Sequence, residues 1–347
     1  MMPPCHPHAA GVPDAALHAL SEQAARTARE GPWASGSFAA LARHGFLAAF
    51  VPAAHGGTAA AEPEIVAALV AIAERCLTTA LALTQWAAAV RIIAGGPPRV
   101  AASLLPALAR GDTFTTVGIS QLTTSHLHLA RPALLASRLD DEWWLDGLCP
   151  WVTGADACDT IVTGAAIAGG GQAFFVVATD APGVTIEPPL DMLALSGSRT
   201  SIVRLGGVRP AHVIEQPASA ARTGGLSTSA LAIGASRAGI AAIAGEAARR
   251  PGLAAAAAGF EAETDDLFQR LLTAARDGIE PADRDRLRAD ANGLVVRVAQ
   301  AALTAAKGAG FVVGHPVERL VRESLFFLVW SCPQAVADAV LCDLVGP

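Results

Sequence analysis

The chain has 347 residues, of which 52% are hydrophobic and 16% charged, with a formal net charge of −6. That length exceeds one ordinary core, so two or three packed units are expected, and so apolar a composition favours burying some surface between subunits. No run of Lys and Arg can follow a phosphate backbone, which argues against nucleic acid, and the scattered cysteines (positions 5, 76, 149, 158, 332 and 342) show no C-x-x-C spacing, which fits a reduced cytoplasm.

Met1 to Pro13 lacks a basic cluster followed by an apolar run and reads as a frayed tail, not a secretory signal. From Asp14 to about Arg110, apolar residues recur at three- and four-residue spacing (Ala15, Leu17, Leu20, Ala24, then Phe38, Leu41, Ala42, Phe46), the period of helices with one buried face. Gly45 to Pro52, followed by His55-Gly56-Gly57, predicts a helix end and a short extended piece entering a glycine turn. One long helix is expected from about Pro63 to Gly95, buried on most sides because Ile65 to Ile93 is almost all apolar. The apolar stretches are Ala-rich and interrupted by Arg, Glu, Asp or Pro before the roughly 20 residues of a membrane span, so no span is expected.

Between Thr113 and about Gln216 the period changes to β-branched and aromatic runs, such as Thr160 to Thr163 and Phe174 to Val177, separated by turns at Asp140-Asp141-Glu142, Gly169 to Gly171 and Asp180 to Gly183. Trp151 and Thr153 lie two apart at the end of one strand and project from the same face. An indole and a hydroxyl so placed can meet one flat partner, ring against ring and polar edge against hydroxyl and amides. An isoalloxazine is such a partner; the plainer alternative is a core Trp beside a β-forming Thr. His126 and His128 alternate as a polar surface pair would.

After Gly224-Gly225 the helical period resumes, with breaks near Pro251-Gly252, Gly278 and Gly308 to Gly310. Segregated helices, sheet and helices define an α+β fold: an N-terminal helical domain over 1–112, a central β-domain over 113–222 and a C-terminal helical bundle over 223–347. No G-x-G-x-x-G follows a strand, and P-loop, H-E-x-x-H and clustered His/Cys patterns are missing from the sequence, which sets aside Rossmann, P-loop and metal readings.

Five strings in this order resemble the acyl-CoA dehydrogenase superfamily: Gly45 to Gly57, Gly111 to Ser125, Trp144 to Ala165, Gly183 to Ile214 and Lys307 to Glu323. The resemblance covers nearly the whole chain. It implies an acyl-CoA dehydrogenase-like fold with a central β-barrel or sandwich, FAD as cofactor, a homo-oligomer (dimer or tetramer), and oxidation at the CH–CH group of a small molecule such as an acyl-CoA or acyl carrier protein thioester. It further implies flavin contacts for Ile119, Ser120, Gln121 and Ser125, where Ser120 and Gln121 stand at the Thr and Glu of the family's T-E-P and its Pro and two glycines are missing. Trp151, Val152 and Thr153 match the W-[IV]-T beside the flavin. Gly308 and Gly310 match a glycine-rich segment, and Arg249 is the remnant of an R-x-x-F-G string without its Phe, or else a helix-end cation.

The family desaturates its substrate with one glutamate set against the acyl α-carbon. Ungapped alignment from Arg322-Glu323 puts its commoner location at Ser331, and the alternative falls in Leu226-Ser227-Thr228-Ser229. A hydroxyl has no useful basicity near neutral pH, so no catalytic residue is assigned. Glu246 is expected to be solvated or salt-bridged, and Glu318 and Glu323 to pair with Arg319 or Arg322. Phe326 to Trp330 suits a bundle core or a pocket wall. Three functions stand open: an FAD-dependent acyl-CoA dehydrogenase-like enzyme, a flavin-dependent monooxygenase of the same fold, and a catalytically degenerate scaffold subunit.

Overall fold

The computed structural model describes residues 11–123, 132–215, 225–330 and 336–338. Helices come first: α1 (Asp14–Glu30), α2 (Pro32–Ser35), α3 (Ser37–Arg43), α4 (Glu62–Arg75), α5 (Leu77–Ala94) and α6 (Pro98–Arg110). The single helix expected from Pro63 to Gly95 is in fact two. Cys76 is extended (φ −155°, ψ 100°), and its N–H closes α4 by donating to the Ile72 carbonyl. The long apolar runs on either side of Glu74-Arg75 hid this break, because both helices are buried over most of their surface and neither Gly nor Pro marks the turn. By length and composition α5 could cross a membrane, as could the later helix Leu226–Ala247, but 72% and 67% of their apolar windows are buried within the fold. Both are core helices here.

A sheet follows, from β1 (Thr115–Gly118) through the short α7 (Ser120–Thr123), β2 (Leu134–Leu139), β3 (Glu142–Val152), β4 (Thr160–Ile167), β5 (Gln172–Ala178), β6 (Val184–Ile186), β7 (Ser201–Val208) and β8 (His212–Ile214). Its strand order is β6-β7-β3-β2-β4-β5-β8, with β1 beside β4. Alternating residues face opposite ways: Phe175 and Val177 of β5 join the β-domain's own interior with Leu145, Cys149, Val152 and Val203, whereas Phe174 and Val176 pack against the helices. The two-sided burial explains the near-continuous apolar runs of β4 and β5.

The chain ends in α8 (Leu226–Ala247), α9 (Ala254–Asp277), α10 (Pro281–Ala306) and α11 (Pro316–Phe326). Helix α8 is apolar all round and lies between α4, α9 and α10. Its approach to α4 depends on Gly234: a β-carbon there would stand 2.4 Å from the Val70 carbonyl oxygen and 2.7 Å from the Ala73 β-carbon. Two backbones this close leave no flexible side chain to yield. Gly234→Ala is therefore expected to destabilise the protein by about 1–3 kcal/mol in denaturant titration. Gly245→Ala in the same helix, where a β-carbon meets nothing within 4 Å, should stabilise by up to about 1 kcal/mol.

Candidate functional site

A cavity of about 370 Å³ lies where α4, α5, the β1–α7 junction, the end of β3, the start of α8 and the end of α11 meet. Its β-domain wall is built by an irregularity. Cys149 pairs with Val203 and Val152 with Ser201, so β3 carries one more residue than β7 in this interval. Such a bulge bends the strand and re-aims its side chains, and Pro150, which has no N–H to give the ladder, lies within it. Trp151 emerges half-exposed onto the cavity, while Cys149 and Val152 remain buried in the β-domain interior.

Thr153 lines the same cavity. Its hydroxyl lies 3.3 Å from that of Thr200, which is 2.8 Å from that of Ser198, and all three residues border the cavity in one hydrogen-bonded row. The row is pinned from below. Gly154 N–H donates to the Ser198 carbonyl (2.9 Å), and the Arg199 Nε donates to both Asp156 carboxylate oxygens (3.1 and 2.8 Å). Gly154 has φ +64° and carries the Trp33 ring so close that a β-carbon would overlap it at 2.0 Å, so only glycine closes this turn.

The opposite wall comes from the C-terminal helices. Phe326 and Trp330 stack at 5.2 Å and face the cavity with Val329. Three hydrogen bonds hold this end of the chain: Arg322 to the Leu193 carbonyl (3.0 Å), Asn292 to the Phe327 carbonyl (2.8 Å) and Arg288 to the Trp330 carbonyl (2.6 Å). The floor is Val66, Leu69 and Leu81, all buried. Charge at the lining is confined to Glu62 and Arg91, both exposed at the rim.

Of the residues singled out from the sequence, Ile119, Ser120, Trp151 and Thr153 are brought together on this cavity. Val152 is buried on the other side of the strand. Gln121 is also turned inward, its amide donating to the carbonyls of Gly118 (3.0 Å) and Gly164 (2.9 Å). Ser125, His126, His128 and Ser331 lie outside the described residues. Arg249 and the Gly308–Gly310 segment do not line the cavity; Arg249 lies just beyond the far end of α8, about 33 Å from its first turn at 1.5 Å per residue. Arg249 is exposed and 3.8 Å from Glu246, whereas Arg250 bonds both Glu246 (2.8 Å) and the Ala305 carbonyl, tying α8 to the segment that precedes Gly308. Glu246 is salt-bridged as expected, and its carboxyl is held below the ordinary range chiefly by the Arg250 hydrogen bond.

Among the described residues the thiols offer no nucleophile. Cys76, Cys149 and Cys158 are buried, and burial pushes each up, Cys149 to about 11 despite its hydrogen bonds with Thr163 and Gln121. Sequence reasoning missed Arg91, Met192, Ser198 and Thr200. They come from two places in the chain, α5 and the connection between β6 and β7, and the only local signal was the Leu195 to Thr200 string between turn residues.

The class defined by this arrangement is an α+β protein with a small-molecule cavity between a β-domain and two helical layers. Residues 11–112 match the family model for the acyl-CoA dehydrogenase N-terminal domain. A probable acyl-CoA dehydrogenase, YngJ of Bacillus subtilis (strain 168), is 24% identical over 347 residues, covering 90% of each chain. Amino sugar nitrososynthase RubN8 of Streptomyces rubradiris is 30% identical over 199 residues, 54% of this chain and 46% of that one. Among solved structures, glutaryl-coenzyme A dehydrogenase in its glutaryl-CoA complex superposes with TM-score 0.81 at 18% identity, covering 95% of this chain and 93% of that one. KijD3 in complex with FMN and a dTDP-linked amino keto sugar superposes with TM-score 0.75 at 21% identity, covering 96% and 91%. The chain thus carries an acyl-CoA dehydrogenase N-terminal domain over residues 11–112, is a homologue of a probable acyl-CoA dehydrogenase, and has the acyl-CoA dehydrogenase fold.

Glu318 and Glu323 differ more than their spacing suggested. Glu318 pairs closely with Arg322 (2.5 Å) and is held below the ordinary carboxylate range by it. Glu323 is buried, stands 4.0 Å from Arg319, and is pushed up to about 7 by burial, which outweighs the nearby arginines. It borders a separate small cavity with Ala235 and Leu320, not the one beside Trp151. Because its folded value lies above its unfolded one, the protonated form is the stable one in the fold, so this group lowers stability as pH rises from about 4.5 to about 7. Glu323→Gln should leave stability near pH 4.5 almost unchanged and raise it at pH 8 by on the order of 2 kcal/mol, read from paired thermal melts across that range.

Proposed function

We propose that the cavity seats the isoalloxazine of a flavin, FAD, against Trp151, with the Thr153–Thr200–Ser198 hydroxyl row and the backbone beside Ile119 and Ser120 at its polar edge. The residues present suit such a group. A flat ring meets a half-exposed indole, neutral donors are fixed by their own hydrogen bonds, and the apolar Phe326–Trp330 stack shields the other side from water. Bound there, a flavin supplies two-electron redox chemistry.

What the chain's own residues add decides between the reactions. Taking a proton from an acyl α-carbon requires a base aimed at the substrate. The lining of the cavity includes no His, Lys or Cys among the described residues, and its one carboxylate, Glu62, is exposed at the rim. Outside the described residues the sequence holds a single further acid, Asp343. This neutral interior supports oxygenation of a small molecule, with O2 as oxidant and a separate reductase supplying two electrons, one oxygen atom going to substrate and one to water. The relationship to an amino sugar nitrososynthase supports the same reading. The protein's part is then to orient the substrate, exclude bulk water and poise the ring.

Arg249 and Gly308–Gly310 can serve the pyrophosphate and adenine of FAD only from a second copy, because α8 separates them from this cavity. A homo-oligomer follows from the reading. Purified protein supplied with FAD should turn yellow, and Trp151→Ala should weaken FAD at least about tenfold in a fluorescence titration. With a flavin reductase and NADH, candidate amines should raise oxygen uptake above the background rate. Anaerobic bleaching of the bound flavin by an acyl-CoA would instead establish desaturation and overturn this assignment.

A further inference from the structure

We propose that the cavity takes a substrate bearing an anionic group, a carboxylate or a phosphate ester, with Arg91 as its counter-ion at the rim. This rests on the reading of the cavity as a substrate site. On α5, Leu81, Thr84, Gln85, Ala88 and Arg91 recur at three- and four-residue spacing and form one stripe along the wall. The stripe is graded. Leu81 is at the buried floor, the Gln85 amide donates to the Thr84 hydroxyl (3.0 Å) midway, and the guanidinium stands at the exposed end, about 15 Å from Leu81 along the helix. Helix α4 repeats the order, from Leu69 and Ile65 to Glu62.

Other arginines near the cavity are neutralised: Arg199 by Asp156 and Arg322 by Glu318. Arg91 has no ion pair among the described residues. A cation in the last turn of a helix complements the macrodipole wherever it points; this one points along the cavity wall. A guanidinium is always charged and offers a planar fork that fits carboxylate or phosphate oxygens, with greatest effect beside apolar surface. Glu62 is not consumed as the cap of α4, because Glu64 accepts from the Ala61 N–H (2.9 Å). At the rim it opposes an anion and weakens the binding that Arg91 provides.

Calorimetric titration with hexanoate, hexyl phosphate and neutral hexanamide tests this, on protein with and without added FAD. The wild type should bind one or both anions at least about tenfold more tightly than hexanamide, and the stronger of the two identifies the group. Arg91→Gln should erase the preference while leaving hexanamide affinity and the melting temperature unchanged. Arg91→Lys, with charge but no fork, should retain part of it, and Glu62→Gln should tighten anion binding about two- to fivefold. Equal affinities for anion and amide, an Arg91→Gln variant that keeps the preference, or no binding of any probe at millimolar concentration would overturn the proposal. Anion preference in a protein that takes no flavin would remove the flavin assignment and leave Arg91 in this role; flavin binding without the preference does the reverse.

Discussion

On a regular strand Cys149 and Trp151 would share a face, and Cys149 is inside the β-domain. The indole would follow it there. The extra residue of β3 between its pairings with Val203 and Ser201 reverses the alternation, so that Cys149 and Val152 both point inward and Trp151 and Thr153 both reach the cavity. The indole and hydroxyl wall of the cavity depends on this one irregularity. Restoring regular pairing would bury a large aromatic in a filled interior and turn Thr153, two residues on, inward with it.

The bulge is held by contacts on the side away from the cavity. Trp33 closes beneath Gly154, the Gly154 N–H reaches the Ser198 carbonyl, and the Asp156–Arg199 pair fixes a backbone at Arg199 with φ +49°. An isolated surface ion pair is worth little. This one has two-point geometry and restrains a loop in an otherwise unfavourable conformation, so its effect is positional. It brings Ser198 and Thr200 into line with Thr153, producing a row of neutral donors in a cavity whose charges stand only at its rim. A neutral, partly shielded wall favours reactions whose electrons come from a bound group over those that need a protein base.

The pattern of elements was legible because it rests on local periodicity: helical spacing through Ala24 and Phe46, β-branched runs through Thr163 and Val177, and helical spacing again beyond Gly225. Trp151 and Thr153 were legible for the same reason, being two apart on one strand. The break at Cys76 was not, since Glu74 and Arg75 before it read equally well as the polar edge of one continuous helix, and the residue adopts an extended conformation with no glycine or proline to announce it. Nor could the sequence join Arg91 to Thr200 or Phe326, which meet only through tertiary packing. Gln121 illustrates a different limit. Its position matched a motif, yet its amide is spent on the Gly118 and Gly164 carbonyls, because a buried amide must find hydrogen-bond partners wherever the fold provides them.

Helix α8 links the two regions that the sequence suggested would serve one cofactor, and its rigidity keeps them apart. Its first turn borders the cavity, and its last turn meets Arg250, which is tied to the segment before Gly308. Beyond that segment, Phe311, Val312 and Val313 are 80%, 61% and 86% exposed, a cluster of large apolar side chains that a lone protomer leaves in water. Burying that cluster against another copy would be favourable on area alone. It would also carry the glycine-rich segment beside it onto a neighbouring surface, which is the arrangement required if Arg249 and Gly308–Gly310 are to meet the distal half of an FAD whose ring lies against another copy's Trp151. On the proposed reading, the length of α8 would leave one chain insufficient for that cofactor, and the apolar surface next to the displaced segment would give association its driving force.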